Sequence, residues 1–488
     1  PITNDLYTFD DGLNGSTSID FGNAAQIINT DDINAISVLK GPAASALYGS
    51  RAANGVVLIE TKTGDSQPNG FGVELNSSIQ FSDPLKLPNY QNKFGSGGGG
   101  KYSYLNGSTY IGANENYDAY GENWGPRMNG QLIKQFNSEG QPAPFTPAPN
   151  NIRNFYQTGV LLSTNVSVNN SNDIGQSRFS YTNLNNNGIV PNTDLERNTF
   201  QTSIGRSLIN NQLNVDFNSM FVRSTSDNIP NSGYDESSSV MYGWLWLPRQ
   251  VEIDDLRDYW QPGLEGVQQR YAENLWVNNP WFIVNENTNA FQSNRLISNL
   301  QLSYDFSSQI SLRFRYGVDY VDEQRQYRRA PSTKGVLNGS YREDEISFRE
   351  SNAEVLLDFD PTPEIENTID ISVKIGGNIM SQIANFGVAN NPELQIFGTG
   401  PSIYTLSNSR SGVLVESQKT NAKINSVFGL VSLDYNNWAY LDLTYRNDWT
   451  STLVNPLVGR DNSSFSYGYP SVSTSILLSE VINLPQNL

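Results

Sequence analysis

The run Ile310-Ser311-Leu312-Arg313-Phe314-Arg315-Tyr316-Gly317-Val318-Asp319-Tyr320 decides the fold. Every second side chain is apolar or aromatic, and those between are small, polar or charged. A period of two marks a β-strand with two unlike faces. Strict alternation over about ten residues is also what a strand needs to cross a bilayer, one face on hydrocarbon and one on a wet interior. Strands of soluble sandwiches usually run only about five or six residues. Arg313 and Arg315 indicate which face is which. On the hydrocarbon side each costs about 2–4 kcal/mol near the midplane, so both are expected to face the lumen.

The pattern recurs on either side. Phe71, Val73, Leu75, Ile79 and Phe81 alternate with Gly72, Glu74, Asn76, Ser78 and Gln80. Leu162, Val166 and Val168 repeat it, as do Leu213, Val215, Phe217 and Phe221, and then Ile369, Ile371, Val373, Ile375 and Ile379. About twelve such strands fit between Gly70 and Glu480. Links between them alternate in length. Short ones fall at Asn169–Gln176, Asn210-Asn211, Phe306–Gln309, Asp360–Glu366 and Asn436-Asn437. Long ones fall at Ser82–Gly159, Asn187–Glu196, Arg223–Ser293, Asp322–Asp344, Ser381–Lys423 and Asn447–Ser466. Short turns at one end and long loops at the other is the outer-membrane pattern.

Composition agrees. With 31 Lys+Arg against 49 Asp+Glu the chain is unsuited to gripping nucleic-acid phosphates. It has no His and no Cys, which removes disulfides, thiol nucleophiles, Cys/His metal sites and every His-based triad. No cofactor and no metal are expected. No run of about 18 apolar residues exists, so no membrane-spanning helix is expected, which leaves a barrel open.

Pro1 to Gly64 reads differently. Asn29-Thr30-Asp31-Asp32 is a helix-start signal, with a capping residue ahead of two acids. Ala35–Lys40 is a short strand pattern broken by Gly41-Pro42, Ala43–Tyr48 suits a short helix ended by Gly49, and Gly55–Thr61 is a buried strand. The reading is a small α/β unit. The run DDINAISVLKGPAASALYGSRAANGVVLIETKTG, Asp31 to Gly64, closely resembles the plug signature of TonB-dependent transporters. Its portion SALYGSRAANGVVLI resembles the SusC-like branch found in Bacteroidetes. Phe155–Gly159, Ser180–Leu184 with Gly188–Thr193, and Tyr440–Asp448 with Tyr469–Ser473 resemble barrel segments of that branch.

The resemblance implies an all-β transmembrane barrel with a small α/β plug inside, of which this chain holds about twelve of some twenty-two strands. Residues 1–64 are read as the C-terminal part of the plug and 65–488 as the N-terminal half of the barrel with its long extracellular loops. The segment that contacts TonB is expected to lie outside this sequence. Either further strands complete the barrel or twelve close by themselves, and the first is favoured because an unpaired strand in lipid is not viable. The plug signature rests on Gly41, Pro42, Tyr48, Gly49, Arg51 and Gly55. The implied role is import of a glycan or oligopeptide across the cell outer membrane, driven by the TonB–ExbB–ExbD system beneath a SusD-like surface lipoprotein, with no catalytic step. The rival readings are a non-transport barrel scaffold within an outer-membrane export or insertion complex, and an enzyme barrel.

Candidate contacts for ligand or partner are the loop tryptophans Trp124, Trp244, Trp246, Trp260, Trp276 and Trp281, since indole faces stack on sugar rings and apolar side chains. Packing within the loops is the alternative for each. Asp254-Asp255 and Glu343-Asp344-Glu345 are the acid clusters an enzyme barrel would use, and solvated charge is their plainer reading. Arg313, Arg315 and Glu74 are expected on the lumen wall, the arginines holding the plug. Gly97–Gly100 reads as a flexible loop without the Lys-Ser/Thr of a phosphate cradle. Asp10-Asp11-Gly12 lacks the spaced ligands of a calcium loop.

Overall fold

A computed structural model describes residues 19–39, 48–64, 70–102, 123–138, 141–272, 277–361, 369–397 and 402–481. Two strands, β1 (Ile33–Leu39) and β2 (Val56–Thr61), pair antiparallel as a sheet of their own. Asn29 caps the 3-10 turn Thr30–Asp32 that leads into β1, its side chain accepting from the Asp31 N–H. The strands read from the sequence at Ala35–Lys40 and Gly55–Thr61 are therefore present, the first starting two residues earlier and described to Leu39. The helix expected over Ala43–Tyr48, together with Gly41, Pro42 and Asp10–Gly12, lies outside the described residues except for Tyr48.

The main sheet has twelve strands: β3 (Gly70–Ser82), β8 (Gly159–Asn172), β9 (Gly175–Asn187), β10 (Asp194–Leu208), β11 (Leu213–Ser226), β12 (Asn289–Ser307), β13 (Ile310–Arg329), β14 (Ser340–Phe359), β15 (Ile369–Asn391), β16 (Leu414–Tyr435), β17 (Ala439–Thr450) and β18 (Ser466–Ile476). Among the described residues of the connection from β3 to β8 lie four short strands, as two hairpins: β4 (Gly97–Gly98) with β5 (Lys101–Tyr102), and β6 (Leu132–Lys134) with β7 (Pro142–Pro144). Each strand of the main sheet pairs antiparallel with its sequence neighbour. β3 and β18 are the two edges and do not pair with each other, so these twelve strands do not close on themselves. Open edges in hydrocarbon leave backbone groups without partners; the sheet is part of a larger barrel wall.

Alternation sorts the side chains. Val166, Tyr181, Phe200, Phe221, Leu296 and Tyr320 sit opposite one another in a single row across six strands. Phe71, Leu75, Ile375 and Val472 extend the same outer face, each more than half exposed. On the other face Asn165, Thr182, Thr199 and Arg446 are buried. A surface that exposes its large apolar side chains and buries its amides, hydroxyls and charges inverts the soluble arrangement and suits lipid outside and a polar, filled lumen inside. Ser219 and Ser298, both on the outer face, satisfy each other at 2.6 Å.

Turns differ at the two ends, as the sequence predicts. The link from β10 to β11 places Ile209, Asn210 and Asn211 at positive φ, and that from β16 to β17 does the same with Asn436 and Asn437. Asn tolerates the left-handed region that a tight hairpin demands, whereas the β-branched Ile209 does not do so readily. At the long-loop end the strands outrun the sequence reading. β13 continues to Arg329 and β14 begins at Ser340, inside the stretch read as loop, and β15 reaches 23 residues. A bilayer needs only about 9–11 residues, so the ladder continues beyond the apolar band.

Candidate functional site

The β1–β2 unit is fastened to the polar face of the sheet. Asp32, fully buried, takes the Arg178 guanidinium of β9 at 2.6 Å and the Ser180 hydroxyl at 2.8 Å. Asn29 donates to the Thr182 hydroxyl at 2.7 Å, one step further along the same strand face. The capping turn that starts β1 is thus the piece that reads three successive lumen positions of β9. Period-two spacing makes that possible, since Arg178, Ser180 and Thr182 share one face.

Five strands away from β9, Arg51 of the plug signature forms a two-pronged ion pair with Glu350 of β14, at 2.9 and 2.8 Å. Gly49, at φ +84°, lies against the Arg446 guanidinium of β17, and a Cβ there would sit 3.2 Å from it. Arg446 is itself held by Asp448 at 2.7 Å and by the Ser426 hydroxyl at 2.7 Å, and Tyr469 donates to Asp448 at 2.7 Å. Ser50 meets the Tyr467 hydroxyl of β18 at 2.9 Å. Gly55 is also at positive φ, +100°, just before β2. Around β1 and β2 the wall strands β9, β14, β17 and β18 hold the unit through charged and hydroxyl groups; ahead of β1, Arg197 of β10 donates to the Gln26 carbonyl and Phe21 lies edge-on to Phe291 of β12 and Tyr327 of β13.

Arg313 and Arg315 are not among the residues that do this. Arg315 bonds Gln301 of the neighbouring strand at 3.1 Å and approaches Glu354 at 3.8 Å, so its partners are within the sheet. The Arg313 Nε is buried without a hydrogen-bond partner among the described residues, and Glu74 forms no ion pair among them. Both arginines do lie on the lumen face. Alternation assigns a residue its face but not its height against the plug, and height selects Arg178, Glu350 and Arg446 instead.

At the long-loop end the connections from β3 to β8 and from β11 to β12 fold together over an apolar core. The helix Val240–Trp246 starts at a Ser239 cap and turns Val240, Gly243 and Trp244 inward, while Met241 and Leu245 remain exposed. The helix Pro280–Glu286 starts with Asn279 accepting from the Trp281 N–H at 2.9 Å, Pro280 filling the first-turn position where no N–H is needed. Phe155 lies 5.0 Å from the rings of both Trp244 and Trp281. Arg249 is buried beneath and bonded to Asn151 at 2.7 Å and Asn92 at 2.9 Å.

The candidate tryptophans divide accordingly. Trp244 donates to the Tyr156 hydroxyl and Trp281 to the Ile253 carbonyl, each at 2.9 Å, and both are core side chains of the cap. Trp260 is half-buried, edge-on to Phe282 at 5.2 Å. Trp246 is half-buried with an Nε1 that finds no partner among the described residues. Trp124 is 61% exposed beside Phe94, which leaves it the most accessible of the five. Trp276 lies outside the described residues. Under Trp260, Glu286 accepts from the Tyr259 hydroxyl at 3.0 Å. Burial holds the Glu286 carboxyl above the usual carboxylate range, opposed by hydrogen bonds from Tyr259 and Trp260. Burial, reinforced by that carboxylate, also raises the Tyr259 hydroxyl.

The acid clusters are engaged locally. Asp254 pairs with Arg257 at 2.7 Å, and Asp255 accepts from Asn137. Glu343 and Asp344 are successive residues of β14 and so point to opposite faces. Glu343 accepts from Tyr341 at 2.6 Å, and Asp344 is buried with Arg342 at 2.6 Å. The glycine tract Gly97–Gly100 is not a loose loop. It is a tight hairpin in which a Cβ on Gly97 would sit 1.9 Å from the Lys101 carbonyl oxygen.

Comparison with known proteins follows the same outline. Residues 3–56 match the family model of the TonB-dependent receptor plug domain. The chain is 24% identical to the TonB-dependent receptor SusC of Bacteroides thetaiotaomicron over 310 residues, 61% of this chain and 27% of that protein. It is 22% identical to the TonB-dependent receptor P3 of Formosa agariphila over 467 residues, 90% of this chain and 40% of that protein. Among solved structures, the RagAB peptide transporter superposes with a TM-score of 0.69 at 18% identity, covering 95% of this chain and 50% of that one. The chain thus spans half or less of the length of each of these proteins. It is similar to SusC-like TonB-dependent receptors in its plug sequence, and to a transporter of that architecture in its wall.

Proposed function

We propose that this chain, similar to SusC-like TonB-dependent receptors from plug to barrel wall, is part of an outer-membrane importer for a nutrient too large for a porin, a glycan or an oligopeptide. The observation that carries the reading is the nature of the plug contacts. Asp32–Arg178, Arg51–Glu350 and Ser50–Tyr467 are polar, and water replaces polar partners far more cheaply than it replaces an apolar core. A unit held in this way has a defined resting position yet leaves it under load, which is what gated release needs. Energy would come from the TonB–ExbB–ExbD system. The folded cap supplies a rigid rim on which a SusD-like lipoprotein would sit, with Trp124 and its neighbours toward substrate or lid. Residues 1–64 act as the gate and 65–488 as the wall. The work is binding and release, with no bond made or broken.

The test is uptake of fluorescently labelled oligosaccharides and oligopeptides by cells carrying the protein, with Asn29→Cys and Thr182→Cys joined by a cleavable thiol cross-linker. Uptake that stops on cross-linking and returns on cleavage supports the importer. Activity indifferent to the cross-link favours the static scaffold.

A further inference from the structure

Several cations on the inner face of the wall pair with carboxylates: Arg178 with Asp32, Arg295 with Asp319, Arg446 with Asp448. On the outer face several do not: among the described residues Arg206, Arg223 and Arg328 bond only carbonyl or amide oxygens, and three further cations lie together. Arg349 of β14 and Lys419 and Lys423 of β16 are exposed and form no salt bridge among the described residues. Register fixes their common face: Arg349 sits opposite Ile383, which sits opposite Asn421, midway between the two lysines. From strand spacing and rise, the three Cα atoms span on the order of 13 Å. Long side chains from such positions can converge on one group carrying more than one phosphate.

Height matters as much as charge. Arg349 is also opposite Tyr320, a member of the aromatic row that borders the apolar band. On the short-turn side of the patch run Ile379, Ile375 and Ile371 of β15 and Val427 of β16, all exposed. Cationic groups therefore top an apolar column at the level where hydrocarbon gives way to headgroups. Carboxylates near the patch share that face: Asp322 lies in the row of Lys419 three strands away, Glu345 lies one row nearer the loops and Glu343, which accepts from Tyr341, one row beyond it. None of these pairs with the three cations among the described residues. The chain as a whole carries a net charge of −18, so its general field repels anionic lipid and any attraction has to be local.

We propose that Arg349, Lys419 and Lys423 form a binding site for a phosphorylated, multiply acylated glycolipid of the outer leaflet, its phosphates on the cations and its chains along the isoleucine column. This rests on the membrane reading above and deepens it. The probe is diphosphorylated lipid A, present at low mole fraction in phosphatidylcholine nanodiscs around the purified protein, with retained lipid read by native mass spectrometry. Retention is expected to fall roughly tenfold or more in Arg349→Gln/Lys419→Gln/Lys423→Gln, and dephosphorylated lipid A is expected to be held no better by the parent than by the variant. Equal retention of lipid A by parent and variant overturns the site, as does retention of dephosphorylated lipid A by the parent equal to its retention of lipid A. Phosphatidylglycerol held as tightly as lipid A also overturns it, because that is charge attraction without a built site. Failure of the protein to enter nanodiscs at all refutes the membrane reading instead, so the two failures are distinguishable.

Discussion

Asp32 and Arg178 meet at 2.6 Å with both side chains almost wholly shut off from solvent, one on the turn into β1 and the other on the lumen face of β9. A pair buried this completely gives little net stability, but removing one partner leaves the other charged and alone. Asp32→Asn is expected to cost about 3–5 kcal/mol at the plug contact. Amide hydrogen exchange checks it: β1 and β2 should exchange faster while β12 to β15 do not change. Arg178→Gln combined with Asp32→Asn should recover part of the loss, because no unpaired charge remains.

Arg51 and Glu350 should behave differently. The Arg51 side chain is 42% exposed but that of Glu350 is fully buried, so Glu350→Gln is expected to cost only about 1–2 kcal/mol, and Arg51→Gln more, because it leaves a buried carboxylate alone. Arg51→Glu places two carboxylates face to face and should lower the urea concentration at which the plug segment becomes accessible to protease. Arg51→Glu with Glu350→Arg should restore it. If the double variant is no better than the single one, the pair is not what holds this side of the plug.

The cap tryptophans separate structure from recognition. Trp244→Ala or Trp281→Ala removes a buried ring from the cap core and is expected to cost about 3–5 kcal/mol of cap stability, read as faster proteolysis of the 227–288 connection. Trp124→Ala should leave that rate unchanged and weaken uptake or lid binding. A Trp124 variant with unchanged uptake and lid affinity removes that residue from the recognition surface.

Acidity should tighten the cap. Burial raises the Glu286 carboxyl in the folded cap, so the folded state holds that proton more firmly than the unfolded one. Stability from this group is therefore present at and below the ordinary glutamate range, about pH 4 to 5, and is lost as pH rises through the raised value. Proteolysis of the cap should be slower near pH 5 than near pH 8 when corrected for protease activity. Glu286→Gln should flatten that dependence. A cap that loosens with acid in the parent alone contradicts the assignment.

Much of this molecule is written in its alternation. Phe71 to Phe81, Ile310 to Tyr320 and Ile369 to Ile379 name their strands and faces because lipid and water impose opposite demands on neighbouring residues. Beyond the apolar band both faces meet polar surroundings, the demand disappears, and the ladder over Glu323–Arg329 and Ser340–Glu345 leaves no periodic trace. The plug's fastening was half legible. Arg51 belongs to a recognisable run, but its partner Glu350 lies in a strand whose spacing gives no depth. Trp244 and Trp281 looked like ligand contacts because a folded cap within a long loop has too short a pattern to announce its own core. Gly97 and Gly125, which allow two backbones to touch, carry no period at all.

The central claim is that the wall has one face on hydrocarbon and one on a polar lumen. The chain has no cysteine, so single cysteines placed one at a time at Leu312, Arg313, Phe314, Arg315, Tyr316 and Gly317 report without background. With spin labels on each in lipid bilayers, accessibility to oxygen, which partitions into hydrocarbon, should rise at Leu312, Phe314 and Tyr316 and fall at the three between. Accessibility to a water-soluble nickel chelate should never peak at the first three. A profile with no period of two, or one in which Leu312, Phe314 and Tyr316 meet the chelate freely, contradicts the account.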